Sequence, residues 1–283
     1  MGFPADVAGA DPDYAFIRDL VRTHSAIALE PGKAYLIESR LTALARGEGM
    51  TSLRQLVNRL RAGGEPALQR KVVEAMTTNE TSFFRDVYPF DALRQQILPE
   101  LLKRRADSRT LNVWSAACST GQEPYSLAIL LREHFPELFR AGWKVSILAT
   151  DLASRVLERA RRGAFSQLEI NRGLPAALAV KYFVRDGLEW VAHDSLRRMI
   201  DFREMNLAVP WPSLPPMDVI FLRNVLIYFE METKSTILSS VRRILRPDGC
   251  LFLGAAETTL NLDDAFERVR MGRVGGCYRA RQV

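Results

Sequence analysis

The chain has 283 residues, 47% of them apolar and 25% charged, with a formal net charge of +6 at neutral pH. These are the proportions of an ordinary globular protein, long enough for two domains. They exclude a low-complexity or disordered chain, and the lack of any run of about eighteen apolar residues excludes a membrane-spanning helix.

The first third reads as all-helical. Residues 14–22 form a short candidate helix. Residues 33–46 place Ile37, Leu41 and Leu44 on one stripe, and residues 52–61 carry Leu53, Leu56, Val57 and Leu60 at i, i+3, i+4, i+7. Gly63-Gly64 breaks the chain, and Pro66 opens another helix with Leu68, Val72 and Met76. This helical domain is expected over residues 1–76. A polar stretch, Thr77-Thr-Asn-Glu-Thr-Ser-Phe-Phe-Arg-Asp86, forms a linker over 77–88. A helix from about Pro89 to Arg105 follows, with a kink or break at Pro99.

Strands and helices then alternate. Strands are expected at Leu111 to Ser115, Val145 to Thr150, Asp218 to Leu222 and Leu251 to Gly254. Helices are expected at Glu123 to Phe135, Ser154 to Arg162 and Glu232 to Leu245. The alternation argues an α/β domain over 89–283, a parallel sheet with helices on both faces. Ligands of such sheets bind beyond the carboxyl ends of the strands, which singles out the loops after Trp114, Ala149, Phe221 and Leu253. Residues 182–191 look like a hairpin turning at Asp186-Gly187, and a strand at Met199 to Phe202 joins it in a small antiparallel insertion over about 180–204.

The densest chemical signal is Asn112-Val-Trp-Ser-Ala-Ala-Cys-Ser-Thr-Gly-Gln-Glu-Pro-Tyr-Ser126. It is a strand, a loop of small residues and a helix start, with Pro124 and Glu123 suited to the first turn. It has neither the phosphate-cradling lysine of a P-loop nor G-x-G-x-x-G, and its exit carboxylate would repel a pyrophosphate. Ribose hydroxyls or a cation suit it, and S-adenosylmethionine carries both. Asp151 ends the next strand, where a carboxylate accepts ribose hydroxyls; the alternative is that it caps the following helix. Arg223-Asn224 ends a buried strand, with Tyr228 one turn on. Polar groups there bind something, or Arg223 forms a salt bridge and Tyr228 is core. Asn79, Thr81 and Arg85 lie on the linker, unless Thr77 or Thr78 opens a short capped helix.

Other chemistries find no footing. Three cysteines without C-x-x-C suit a reduced protein with no structural zinc, and His24, His134 and His193 are not paired at metal spacing, so no metal is expected. Gly-x-Ser-x-Gly is missing, as is an Asn-Pro-Pro-Tyr-type motif. The N-terminal stretch has no basic-then-apolar signal, so a cytoplasmic location is expected. No aromatic-interleaved basic groove suggests nucleic acid.

Together, the segments 77–86, 114–126, Ala149-Thr-Asp151 and Phe221-Leu-Arg-Asn-Val-Leu-Ile-Tyr-Phe229 resemble the chemotaxis receptor methyltransferases, the CheR family; Leu245 to Gly254 and Glu257 fit its last block. The resemblance runs from about residue 12 to 280. It implies a Rossmann-like domain that methylates glutamate side chains of chemoreceptors from S-adenosylmethionine. It places Asn79, Thr81, Arg85, Glu123, Asp151, Asn206, Leu207, Arg223 and Asn224 around the cofactor, and Arg85 and Tyr228 near the transferred methyl. Gln122 replaces the family's usual glutamate, Ala255-Ala256 a His-Ser pair, and Cys277 an aromatic or apolar residue. A non-catalytic S-adenosylmethionine sensor or scaffold is the alternative that the Gln122 change permits.

Members of the family that dock a tethering pentapeptide resemble one another in a glycine-rich extension of the hairpin loop. Only Asp186-Gly187 stands there, so a tether-independent enzyme is expected. The helical domain carries Lys33, Arg40, Arg46, Arg54, Arg59, Arg61, Arg70 and Lys71 against few acids. Arg40, Arg46 and Arg54 are candidates for docking an acidic receptor methylation helix, although these residues form no clean single face.

Overall fold

The computed structural model describes residues 11–140, 142–270 and 276–281. The chain divides into two compact units: Met1–Thr78 with Tyr228–Thr233, and Asn79–Ile227 with Lys234–Val283.

The first unit holds helices α1 (Pro12–Ser25), α2 (Ala34–Gly47), α3 (Leu53–Ala62) and α4 (Pro66–Met76). Local chemistry sets their ends. Asp11 accepts from the Asp13 N–H with Pro12 in the first turn, and Ser52 accepts from the Gln55 N–H. The apolar stripes are buried: Ile17 and Val21 from α1, Ile37 and Leu41 from α2, Leu56 and Val57 from α3, Val72 from α4. Burying each such side chain contributes about 1.5–3 kcal/mol before the entropic cost of ordering it. Leu44, placed on the same stripe by periodicity, is only partly buried. The segment after the second unit's Ile227 returns to this bundle, where Phe229 bridges Ile27 and the Ala28 N–H donates to the Tyr228 carbonyl at 2.9 Å.

The second unit opens with a helix in three parts: α5 (Tyr88–Ala92), a π-helical turn over Leu93–Ile97, and α6 (Leu98–Arg104). Pro99 therefore starts a new stretch without ending the helix. The widened turn before it absorbs the missing N–H. A seven-stranded sheet follows in the order β6-β2-β1-β7-β8-β10-β9, with β1 at Thr110–Ala116, β2 at Lys144–Asp151, β6 at Ile200–Glu204, β7 at Met217–Leu222, β8 at Leu245–Leu253, β9 at Phe266–Arg270 and β10 at Gly276–Ala280. The first five of these in sheet order run parallel, and β10 and β9 close the edge antiparallel. Helices α7 (Gln122–His134), α8 (Ser154–Arg162) and α12 (Met231–Ile244) lie between strands. The fold is the Rossmann-like α/β arrangement, preceded by an all-α domain.

One expectation about the insertion needs correction. The strand at 200–204 is not part of it: β6 pairs parallel with β2, Ile147 opposite Ile200, at the edge of the main sheet. The small antiparallel sheet instead takes β3 (Ala164–Ser166) as its third strand, in the order β3-β5-β4 with β4 at Phe183–Asp186 and β5 at Glu189–Ala192. Strand pairing is non-local, and the short run 164–166 has no period of its own to betray it. Short helices α9 (Gln167–Asn171), α10 (Ala176–Tyr182) and α11 (Asp194–Arg197) complete this region.

Register aligns the carboxyl ends of the parallel strands. Ala116 lies opposite Thr150 on one side and Leu222 on the other, and Leu222 opposite Leu253. At the other end, Asp218 is fully buried and accepts from the Asn112 N–H (2.8 Å) and from Arg105 Nε (2.8 Å), while Asp248 takes a second bond from Arg105. The Arg105 guanidinium holds the Asp248 carboxyl below its ordinary range.

Candidate active site

The sheet order reverses direction between β1 and β7, since β1 continues to β2 on one side while β7 and β8 lie on the other. Such a switch point opens a crevice at the carboxyl rim. The loop after β1 lines it. Ala117 and Ser119 take left-handed backbone (φ 54° and 52°), and Gly121 has φ 99°. Ala160 Cβ would lie 3.0 Å from a Cβ at 121, so this turn requires glycine. Burial pushes the Cys118 thiol well above its ordinary pKa, so this loop offers no thiolate nucleophile.

Acceptors gather around that loop. Asp151, last residue of β2, is buried; its Oδ2 accepts from the Ser119 N–H at 2.8 Å and its Oδ1 from the Ala153 N–H at 3.0 Å. The carboxylate thus fixes the β1 loop. It is not the side-chain cap of α8, whose capping position is Ala153. Glu123, in the first turn of α7, accepts from Ser115 Oγ at 2.7 Å and from Arg223 Nη1 at 3.0 Å.

Arg223 decides between two readings of its own position. Its side chain is 1% exposed and pairs with Asp86 at 2.6 Å and Glu123 at 3.0 Å. Its Nη2 also donates to the Arg85 carbonyl at 3.0 Å. The salt-bridge reading therefore describes this guanidinium: it faces the protein's own carboxylates, and only its Nε has no partner among the described residues. Asn224 next to it is left-handed at φ 58° and partly exposed. Asn206 and Leu207 follow β6, where Asn206 Oδ1 accepts from the Ala208 N–H (2.9 Å). Trp211 Nε1 donates to the Leu207 carbonyl at 3.1 Å, and its ring packs edge-on against Trp114, 5.1 Å between centroids. Sequence reasoning missed Trp211, for only tertiary packing brings it back to β1.

The linker does not form the capped helix that its threonines allow. Thr77 Oγ1 turns back to the Glu74 carbonyl at 2.7 Å, and residues 83–86 form a turn. Ser119 Oγ donates to the Asn79 carbonyl (2.9 Å), and the Phe84 N–H donates to Ser126 Oγ (2.9 Å), tying the segment to the β1 loop and α7. Phe83 is buried edge-on to Phe165 at 5.0 Å, which accounts for one of the paired aromatics. Phe84, Asp86 and Val87 all have positive φ, 46°, 65° and 50°. This strained turn presents Arg85, whose Nη1 bonds the Glu80 carbonyl at 3.0 Å. Asn79 and Thr81 lie in the same segment, exposed and partly exposed.

The rim therefore brings together Asn79, Thr81, Arg85, Glu123, Asp151, Asn206, Leu207, Arg223 and Asn224 in one unit. Tyr228 and the docking candidates Arg40, Arg46 and Arg54 belong to the other. Arg46 and Arg54 are exposed, whereas Arg40 is partly buried and donates to the carbonyls of Met76 and Thr77, each at 3.0 Å, at the end of α4. A loop stripped of bulk, flanked by the Asp151 and Glu123 carboxylates, fits a ribose and a cation. It does not fit a pyrophosphate.

Gln122 is 2% exposed. Its Oε1 accepts from Thr120 Oγ1 at 2.8 Å, and its Nε2 donates to Glu169 Oε1 at 3.4 Å. A glutamate there would face another carboxylate, so the neutral side chain suits this setting.

Comparison with known proteins agrees with this geometry. Residues 79–274 match a family described as "CheR methyltransferase, SAM binding domain", and residues 12–77 one described as "CheR methyltransferase, all-alpha domain". Chemotaxis protein methyltransferase 1 of Pseudomonas aeruginosa is 41% identical over 279 residues, covering 97% of this chain and 100% of its own. Chemotaxis protein methyltransferase Cher2 of Pseudomonas putida is 38% identical, covering 91% of this chain and 94% of its own. The corresponding protein of Vibrio parahaemolyticus is 39% identical, covering 92% and 94%.

Proposed function

The chain belongs to the CheR methyltransferase family, and from that premise we propose that it transfers the methyl group of S-adenosylmethionine to glutamate side chains of chemoreceptors. The observation that carries the reading is the placing of Asp151 and Asn224 at the aligned ends of β2 and β7, with Glu123 in the helix that follows β1, inside the matched S-adenosylmethionine-binding segment.

When bound, S-adenosylmethionine supplies a methyl group activated on a sulfonium. Asp151, the last residue of β2 and fixed by its bonds to the Ser119 and Ala153 N–H groups, would take the ribose hydroxyls. Glu123 would favour the cationic end of the cofactor, and Asn79, Thr81, Asn206, Leu207 and Asn224 would complete its surroundings. Arg223 serves this set from behind by holding Glu123 and Asp86 in place.

A glutamate substrate is ionised near pH 7, with a reference pKa of about 4.3, so no general base is required. The protein's work is alignment of an oxygen nucleophile with the methyl carbon. Anion and sulfonium lose their charges as the bond forms, so exclusion of water favours the step. Arg85 would steer and orient the incoming carboxylate. Tyr228, by resemblance to the family, would hydrogen-bond it or position the methyl, not accept a proton.

The acidic methylation helix of the receptor is proposed to dock on the basic helical unit through Arg46 and Arg54, with Arg40 supporting from the end of α4. Only Gly187-Leu188 lie between β4 and β5, which supports action without a tethering pentapeptide. Among the described residues no helix is long and apolar enough to cross a membrane, and a cytoplasmic enzyme is the reading proposed. The deciding experiment is tritium transfer from labelled S-adenosylmethionine to receptor-containing membranes, with the label released as methanol by base. Label that stays bound after base treatment would refute ester formation.

A further inference from the structure

Glu257 stands four residues beyond the end of β8, is 9% exposed, and lies outside the set of residues assigned to cofactor or substrate. Its carboxylate is surrounded by main-chain donors. Oε2 accepts from the N–H groups of Asn224 and Gly254, each at 2.7 Å. Oε1 accepts from Val225 at 2.9 Å, Leu226 at 2.7 Å and, more weakly, Ile227 at 3.4 Å. One anion thus satisfies consecutive backbone donors of the loop after β7 and ties them to the end of β8. Charge-assisted bonds of this kind are stronger than neutral ones, and few side chains receive so many.

The loop needs such an anchor. Asn224 is held at φ 58°, a conformation that non-glycine residues adopt at a cost. The neighbouring strand end must also be bare. A Cβ on Gly254 would fall 2.7 Å from both Asn224 Nδ2 and Glu257 Oε2. Gly254, Asn224 and Glu257 therefore pack together with no room for a side chain at position 254.

We infer that Glu257 is a positioning residue of this methyltransferase: by gathering the Asn224–Ile227 N–H groups it fixes the left-handed turn that presents the Asn224 side chain to the cofactor. This rests on the reading of Asn224 as a cofactor contact. Glu257 touches neither cofactor nor substrate, and its effect is transmitted through the backbone. Glutamine cannot replace it fully, because one acceptor oxygen becomes an NH2 group aimed at other donors.

The test compares the full-length Glu257→Ala, Glu257→Gln and Asn224→Ala variants. Hydrogen exchange is followed on the peptide spanning residues 224–227, and S-adenosylhomocysteine affinity by calorimetry. Kinetic constants are measured on receptor membranes. In Glu257→Ala the exchange of that peptide should speed up at least tenfold while the β1 and β2 peptides keep their protection. Affinity for S-adenosylhomocysteine should fall about tenfold, with the cofactor KM raised and kcat within about twofold. Glu257→Gln should be intermediate, which keeps the test alive if the alanine variant folds poorly. Asn224→Ala should lose affinity without the tenfold faster loop exchange of Glu257→Ala. Unchanged exchange in both Glu257 variants would overturn the inference, as would faster exchange with full affinity. Full affinity in Asn224→Ala would instead remove the cofactor reading beneath it, a failure seen in a different variant.

Discussion

Arg223 and Asp86 are 137 residues apart in sequence and 2.6 Å apart in space, and the pair holds the turn that carries Arg85. The guanidinium is desolvated, so the Asp86 and Glu123 carboxylates are what make its burial tolerable. Arg223→Met should destabilise the fold by about 3–5 kcal/mol, the range for removing one member of a buried pair. Chemical denaturation would give that figure. Replacing Asp86 as well should recover part of it.

The two acidic and phenolic groups assigned to the reaction should separate cleanly in kinetics. Asp151→Ala is expected to weaken S-adenosylhomocysteine binding at least tenfold, because it also frees the Ser119 N–H that shapes the β1 loop. Tyr228→Phe is expected to keep measurable turnover with normal cofactor affinity. A dead Tyr228→Phe enzyme with intact affinity would assign the phenol a chemical role that the proposed mechanism denies it.

Restoring the family's usual glutamate at position 122 should harm the protein. Gln122 is buried with its amide toward Glu169, which is itself paired with Arg159. Gln122→Glu would bury a second carboxylate beside the first and cost about 1–3 kcal/mol, a loss that thermal unfolding would register. Cofactor affinity should not rise.

The basic residues of the helical unit should divide into two classes. Arg40→Ala removes two bonds to the end of α4 and should lower stability by about 1–2 kcal/mol. Arg46→Glu and Arg54→Glu should leave stability and cofactor binding alone while slowing receptor methylation severalfold, more so at low ionic strength. Methylation rates on receptor membranes at two salt concentrations would separate the classes.

Acid should act on the far end of the sheet. The Arg105 guanidinium lowers the folded-state pKa of Asp248 below the unfolded value of about 3.9. The stability this contributes is complete above that unfolded value and is lost as pH falls through the lowered one. Urea titrations from pH 6 to pH 2 should show it. In Arg105→Ala the same span should be shallower, with a lower plateau at pH 6.

Much of this was legible because the informative residues sit on short stretches whose local chemistry is self-explanatory. Small residues from Ser115 to Gly121, an aspartate ending an apolar strand, and Arg223-Asn224 ending another all mark a strand-end site without knowledge of the tertiary fold. What stayed hidden depends on distant partners. The sequence places an arginine at 223, but not the carboxylate that meets it from residue 86. The strand near 200–204 joins the main sheet, and the unanticipated strand at 164–166 takes its place in the small one, because edge pairing is chosen by the whole assembly. The β9–β10 edge carries mixed burial and no clear alternation, and went unread. Glu257 stood within a recognisable block, yet only the folded loop reveals its ring of donors.

Val87 is β-branched and sits at φ 50°, a torsion at which such side chains crowd their own backbone. Its neighbours Phe84 and Asp86 are wound the same way, so the segment is a spring kept loaded by the contacts around it. A laboratory selection for heat resistance would find glycine or asparagine there an easy gain. The relaxed turn would then hold Arg85 less firmly, trading durability against aim.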